Sequence, residues 1–311
     1  MTADGHRPPR WHPRALNTGL IVGATRRGVA RLPPWMSFGI GHAGTWLAYH
    51  LMRDGTRAVV SNLRGMFPEL PDRELHRLAL LTYRNYARDT IHFLRILSMT
   101  PTAVRARVSR LETSALETAI AAGRGAISVS AHFGNWEAGG VLLRRLTTYD
   151  LSVVVMREPD DQVTQLRTDL RASLDIDTIA VRSALETGIR VRNLIRNNRV
   201  VAMLVDRYLG KDRTPVQFFG RRAWFLRTPA LLAQSTGAPL VPAFVYRDDD
   251  DRFAIECGPA IDVASDGDRE ANIADAMQQV ASAFELQIRR RPQCWYQFYP
   301  YWETQDAAER A

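Results

Sequence analysis

The stretch Ala126-Ile127-Ser128-Val129-Ser130-Ala131-His132-Phe133-Gly134-Asn135-Trp136-Glu137 decides the fold class. A short apolar run ends at a histidine, followed by a glycine two residues on and a carboxylate five residues on. A short, mainly apolar run of this kind ahead of a turn reads as a strand. Three more runs of the same kind follow: Leu151 to Met156, Val200 to Val205 and Leu240 to Tyr246, with helical stretches between them. This alternation predicts an α/β fold, a mixed and mostly parallel central sheet flanked by helices.

Each run stops at a polar, potentially reactive residue: His132, Arg157, the pair Asp206-Arg207, and Arg247. Ligands of open α/β sheets bind beyond the carboxyl ends of the strands, so residues far apart in the chain can meet there. Any one of them is what a wet loop supplies, and the set is what points to a site. The other six histidines lie in the first 92 residues, which leaves His132 as the only imidazole of the α/β region. A neutral imidazole whose tautomer is fixed by a carboxylate takes a proton from a hydroxyl near neutral pH. On one continuous helix His132 and Glu137 would point roughly 140° apart, so their pairing requires a turn at Gly134.

Other chemistries lack their parts. The two cysteines, Cys257 and Cys294, supply neither a disulfide framework nor a thiolate zinc cluster, and a solitary histidine supplies no metal site. No Gly-x-Ser-x-Gly elbow is present, and Gly210-Lys211 is followed by Asp212 where a phosphate loop needs Ser or Thr. The formal net charge is +8, and all but one of the 41 basic residues are arginine, Lys211 being the exception. Codon bias accounts for most of that excess. The rest of it suits an anionic partner, whether nucleic acid, phospholipid headgroup or phosphorylated cofactor. No basic stripe or reader motif supports the first of these, the arginine-rich nucleic-acid binder that stands as the alternative from a different class.

The segment Trp35 to Met52 carries no charged side chain, and Arg26, Arg27, Arg31, Arg53 and Arg57 flank it. It is at the lower limit of a spanning length and weakly hydrophobic, so it fits a helix lying in a bilayer interface; a buried core helix fits as well. Its Gly39-x-Gly41-x-x-Gly44 has dinucleotide-loop spacing, but no strand precedes it and Arg64 stands where an acid is required. No signal peptide is expected, because Arg7, Arg10 and Arg14 lead into no clear apolar core and cleavage site. Two helical patterns follow, one from an N-cap at Asp72 through Leu75, Leu78, Leu81 and Tyr86, the other over Ile91, Phe93, Leu94 and Leu97.

His132-x4-Glu137 after a buried strand resembles the His-x4-Asp/Glu motif of the glycerolipid acyltransferase superfamily. The surrounding sequence is similar to its branch of bacterial lipid A (lauroyl or myristoyl) acyltransferases. Asn62-Leu63 with Phe67-Pro68, Arg157, Asp206-Arg207 and Val216-Gln217-Phe218-Phe219-Gly220 agree in order and spacing. So do Thr228-Pro229-Ala230, Thr236-Gly237-Ala238-Pro239 and the terminal Trp295-Tyr296-Gln297-Phe298-Tyr299-Pro300-Tyr301-Trp302, so that the likeness covers roughly residues 15 to 302. The acid is Glu137 rather than the superfamily's commoner Asp, and the amino-terminal segment is less hydrophobic than a typical anchor of these enzymes.

The resemblance implies an O-acyltransferase without a covalent enzyme intermediate or bound cofactor. His132 would deprotonate an acceptor hydroxyl, Glu137 would orient it, and the hydroxyl would attack the thioester of an acyl carrier protein or coenzyme A. Arg157 and Arg207 would hold phosphate and Asp206 would position Arg207. The acceptor expected is a lipid A-type glycolipid, with a phosphatidylinositol mannoside or lysophospholipid as alternatives. A non-catalytic lipid carrier is disfavoured by the intact His132 and Glu137. The expected setting is the cytoplasmic face of a bacterial inner membrane. The expected organisation is a flexible terminus at 1–14, an interfacial helical segment at 15–52, a single α/β domain at 53–302 and a tail at 303–311. Phe218-Phe219-Gly220 with Arg221, Arg222, Trp224 and Arg227 reads either as an aromatic-basic lip for a lipid chain or as core packing.

Overall fold

The computed structural model describes residues 32–156, 161–181 and 183–310. Arg157, the arginines of the amino-terminal flank up to Arg31, and the expected segments before residue 32 lie outside the described residues. Nine strands run in chain order as β1 (Val108–Glu112), β2 (Ala126–Ser130), β3 (Leu151–Val155), β4 (Asp177–Ala180), β5 (Val200–Leu204), β6 (Thr214–Phe218), β7 (Arg221–Phe225), β8 (Leu240–Arg247) and β9 (Phe253–Cys257). All but β6 and β7 form one sheet in the order β1-β9-β8-β2-β5-β3-β4. The pairings from β8 across to β4 are parallel, and β9 turns back antiparallel on β8 and carries β1 parallel to itself. The sheet is therefore mixed and mostly parallel, as the alternation of apolar runs predicts. β2 sits in its middle with every apolar side chain sealed from water.

Helices α1 (Pro34–Leu51), α2 (Arg53–Met66) and α3 (Asp72–Ile96) precede the sheet. The two helical patterns expected between Asp72 and Leu97 form the single helix α3. Asp89, which lies between the two patterns, is buried against the strand ends. Asp72 is the first residue of that helix and not its cap, with its carboxylate bonded to Arg64 at 2.7 Å. The short α4 (Pro101–Arg105) and α5 (Ser114–Ala121) flank β1, and α6 (Trp136–Leu146), α7 (Asp161–Ala172) and α8 (Ala184–Arg196) are the crossovers that keep successive strands parallel. Next come α9 (Thr228–Thr236), which ends on Gly237 in the left-handed region at φ 74°, and the long α10 (Arg269–Arg290). The last helix, α11 (Tyr301–Arg310), takes up residues expected as a tail. Its Gln305 is buried and accepts from the Trp224 N–H at 2.8 Å, so the segment belongs to the packed body.

β6 and β7 make a separate hairpin, whose two-residue turn puts both Phe219 (φ 53°) and Gly220 (φ 70°) in the left-handed region. Phe219 is held there by its N–H on Glu285 at 2.6 Å and by burial of its ring against Phe67 and Phe218. Phe218 and Phe219 are core residues. The neighbouring arginines are engaged within the fold, Arg221 over the Trp302 ring, Arg222 over Trp224 and Arg227 on Glu270. Of the two readings of this motif, core packing holds.

Candidate active site

The parallel register Ser130 with Leu204 carries the chain two residues further on each strand, and this sets His132 beside Asp206. The imidazole Nδ1 lies 2.6 Å from Asp206 Oδ1, while the His132 backbone N–H donates to Oδ2 at 3.0 Å. Oδ2 also accepts from Trp295 Nε1 at 3.0 Å and from Gln297 Nε2 at 2.8 Å. Asp206 is wholly buried. Burial by itself would raise its carboxyl, but the charge and hydrogen bond of His132 and the charge of Arg207 outweigh it and bring the group down to about 2. An ionised carboxylate only accepts, so the proton on the imidazole is fixed at Nδ1 and the lone pair lies on Nε2.

The turn after β2 is clamped from two sides. Gly134 N donates to Cys294 O and Asn135 N to Val245 O, each at 2.7 Å, and Tyr296 N donates to His132 O at 2.8 Å. Gly134 has φ 58°, and a Cβ added there would stand 2.1 Å from Val245 O, so only glycine allows the chain to pass. Asn135 then caps α6, its side-chain oxygen accepting from Ala138 N at 3.1 Å. Trp136, the first residue of the helix, lays its ring 5.4 Å from the imidazole.

Glu137 does not take the place expected of it as the orienter of His132. In the first turn of α6, both its oxygens face Arg171 of α7, at 3.1 and 3.0 Å, and Arg167 approaches to 3.5 Å. Burial pulls its carboxyl upward, and the charges of Arg171 and Arg167 more than reverse this and hold it below the usual carboxylate range. The physical reason is the rotation that the α6 cap imposes, which carries Glu137 toward α7, while β5 already presents Asp206 to the imidazole.

Arg207 leans back over the carboxy-terminal segment. Its guanidinium donates to Gln297 Oε1 at 2.7 and 3.0 Å and to Tyr296 O at 3.3 Å, and sits 4.9 Å from the Tyr299 ring centre. Gln297 therefore bridges Asp206 and Arg207, accepting from one side and donating to the other. Asn62 ties the same segment down, donating to Gln297 O at 3.0 Å and Tyr299 O at 2.8 Å and accepting from Tyr301 N at 2.9 Å. Arg247 joins a different cluster, with Nε 2.9 Å from Asp89 and a bond to Asp251. The other Asp89 oxygen takes the Tyr296 hydroxyl at 2.5 Å. The strand ends thus bring together His132, Asp206 and Arg207, and leave Arg247 as a brace behind them.

Trp295 and Gln297 as partners of the carboxylate, and Arg167 and Arg171 as partners of Glu137, escaped the sequence reading. The only signal for the first two was the dense aromatic run around them. Among the described residues no group of three or more His, Cys, Asp or Glu side chains is placed to hold a metal ion. Burial first, then nearby carboxylates, push both thiols up to about 12, so neither cysteine is a thiolate at neutral pH.

A carboxylate-fixed imidazole at the carboxyl edge of a parallel sheet, with no activated serine or thiolate beside it among the described residues, is an arrangement that can do general-base chemistry on a hydroxyl. The chain belongs to the bacterial lipid A biosynthesis acyltransferase family, which it matches over residues 6–304. It is 31% identical over 189 residues to a phosphatidylinositol mannoside acyltransferase of Mycobacterium tuberculosis (strain ATCC 25618 / H37Rv), a match covering 60% of this chain and 57% of that protein. The matched region therefore spans a little over half the length of that relative. A phosphatidylinositol mannoside acyltransferase of Mycolicibacterium smegmatis (strain ATCC 700084 / mc(2)155) is 27% identical over 300 residues, 94% of each chain.

Proposed function

We propose that the protein is an O-acyltransferase that moves a fatty acyl chain from a thioester, acyl carrier protein or acyl coenzyme A, to a hydroxyl of a glycolipid. The observation that carries this reading is the 2.6 Å pairing of His132 Nδ1 with buried, ionised Asp206. His132 Nε2 takes the proton as the hydroxyl oxygen attacks the thioester carbonyl. A carbon–oxygen bond forms, the carbon–sulfur bond breaks, and the departing thiolate recovers the proton from the imidazolium. Asp206 stays ionised throughout and stabilises the charged ring.

Glu137 serves as a positioning residue, holding Arg171 and Arg167 so that their guanidinium groups meet the phosphate of the donor's pantetheine arm. Arg207 braces Gln297 beside the base, and Arg157 remains a candidate for the same phosphate. Of the acceptors weighed from sequence, a mannosylated phosphatidylinositol is favoured over lipid A, because the relatives described above carry that substrate in their names. Attachment is peripheral, through α1. No helix among the described residues is long and apolar enough to cross a membrane. Trp35, Ile40, Trp46, Leu47 and Leu51 of α1 are exposed, an apolar face suited to a bilayer interface at the cytoplasmic side.

The test is incubation of the purified protein with a labelled acyl thioester and, in parallel, a phosphatidylinositol mannoside, a lipid A precursor and a lysophospholipid. Transfer to the first, abolished in His132→Ala with the circular dichroism spectrum kept, is the expected result. Full activity of His132→Ala overturns the mechanism, and transfer to lipid A alone overturns the acceptor.

A further inference from the structure

Helix α1 is built with its small residues inward. Ser37, Gly41 and Thr45 recur every fourth position and face α3, where a Cβ on Gly41 would stand 2.7 Å from Ile91 Cδ1. Small residues on a helix seam let backbones approach closely, and here they send the large apolar side chains to the outer face. The outward Trp35 and Leu51 are 74% and 69% exposed.

Beside this seam, α1 and α3 line a half-open cavity of about 330 Å³. Phe38, Ala87 and Ile91 give it an apolar wall, Arg84 and Arg88 enter from α3, and His42 lies at its rim. Among the described residues no carboxylate lines it. Arg84 Nε is buried and has no hydrogen-bond partner among the described residues. Arg88 gives one nitrogen to Asp251 at 2.8 Å. A buried cationic donor without an acceptor carries a desolvation cost that an anion in the cavity would offset.

We propose that this cavity binds the phosphate of an anionic lipid headgroup, with Arg84 as its principal ligand and Arg88 and His42 beside it. The phosphodiester accepts from the guanidinium groups while the glycerol and first methylenes lie along Phe38, Ala87 and Ile91. A free phosphate offers the arginines the same chemistry, but it leaves the apolar wall and the outward apolar face of α1 unused. The site is separate from the proposed catalytic centre. On the same helix Asp89 turns toward the strand ends, its carbonyl accepting from Asn135 at 2.8 Å, whereas Arg84 and Arg88 turn toward α1. The proposal rests on the peripheral attachment inferred above and needs no acyl transfer.

Co-sedimentation of the full chain with vesicles of phosphatidylcholine alone, and of phosphatidylcholine mixed with phosphatidylinositol, tests it. Arg84→Gln is expected to weaken binding to the mixed vesicles about tenfold, with binding to the neutral ones unchanged. Arg84→Lys should recover part of the loss. Arg192→Gln, which removes an exposed arginine of α8, should alter neither. Parent-like binding by Arg84→Gln, or an equal loss on both vesicles, overturns the site while leaving membrane attachment standing. Parent protein that binds neither vesicle overturns the attachment and this site together, and acyl transfer to a detergent-dispersed acceptor is read separately. Competition by inorganic phosphate as strong as that by glycerophosphoinositol assigns the cavity to a free anion and overturns the lipid assignment.

Discussion

Asp206 reaches His132 from the neighbouring strand, Oδ1 to Nδ1 at 2.6 Å, with the His132 backbone N–H on the other oxygen at 3.0 Å. The carboxylate therefore fixes both the ring and the peptide that carries it. Two more donors, Trp295 Nε1 and Gln297 Nε2, converge on the same Oδ2. Neither the chain nor the ring is left to choose its position, which is what the proposed proton transfer requires.

Asp206→Asn is the direct test of that relationship. The amide can turn its NH2 toward Nδ1, which moves the imidazole proton to Nε2 and removes the base. Turnover is expected to fall by about 10³- to 10⁴-fold, the loss seen when the acid of a histidine pair is made neutral. A steady-state rate within a few-fold of the parent would remove Asp206 from the mechanism.

Glu137→Gln separates the two duties that a carboxylate at this position can have. Loosening Arg171 and Arg167 is expected to raise KM for the acyl thioester by about tenfold, with a smaller change in kcat. The pH profile of kcat should keep its shape. A loss confined to kcat with a displaced acid limb would instead make Glu137 the orienter of the imidazole.

The buried pair also sets an acid limit on stability. Asp206 titrates at about 2 in the folded chain against an ordinary 3.8, so its contribution is complete above about pH 4 and is lost as pH falls through 2. The depression corresponds to about 2 kcal/mol at neutral pH. Urea midpoints measured between pH 6 and pH 3 should fall less steeply in Asp206→Asn than in the parent. Parallel slopes would show that other carboxylates carry the acid transition.

Much of this was legible in the residues, and the failures have two causes, polar residues inside short strands and contacts between distant parts of the chain. The four apolar runs became β2, β3, β5 and β8 because a strand buried on both faces writes itself as a continuous apolar word. β1 (VSRLE), β4 (DTIA) and β9 (FAIEC) carry charged or polar residues that break the apolar run, and the sequence reading does not pick them out. His132 stood out because no other imidazole is near it, but its partner was misassigned to Glu137. A spacing of five residues is visible in the sequence, whereas the lateral order of strands, which makes β5 the neighbour of β2, is not. The same blindness hid Asn62 and Gln297, whose hydrogen bond joins residues 235 positions apart.

Two glycines with the same backbone sign give the last prediction. Gly134 (φ 58°) meets the carbonyl oxygen of Val245 at 2.1 Å if a Cβ is added, and both the oxygen and the glycine belong to clamped backbone. Gly220 (φ 70°) has nothing within 4 Å of the same added atom. Gly220→Ala is expected to cost about 1 to 2 kcal/mol, the price of a left-handed alanine alone. Gly134→Ala adds a collision that only separation of β8 from the turn can relieve, and should cost about 3 kcal/mol or more and lower turnover in whatever fraction folds. Chemical denaturation of the two variants side by side reads the difference. Equal losses would mean that the turn after β2 can shift without cost, and the positioning of His132 by that turn would have to be abandoned.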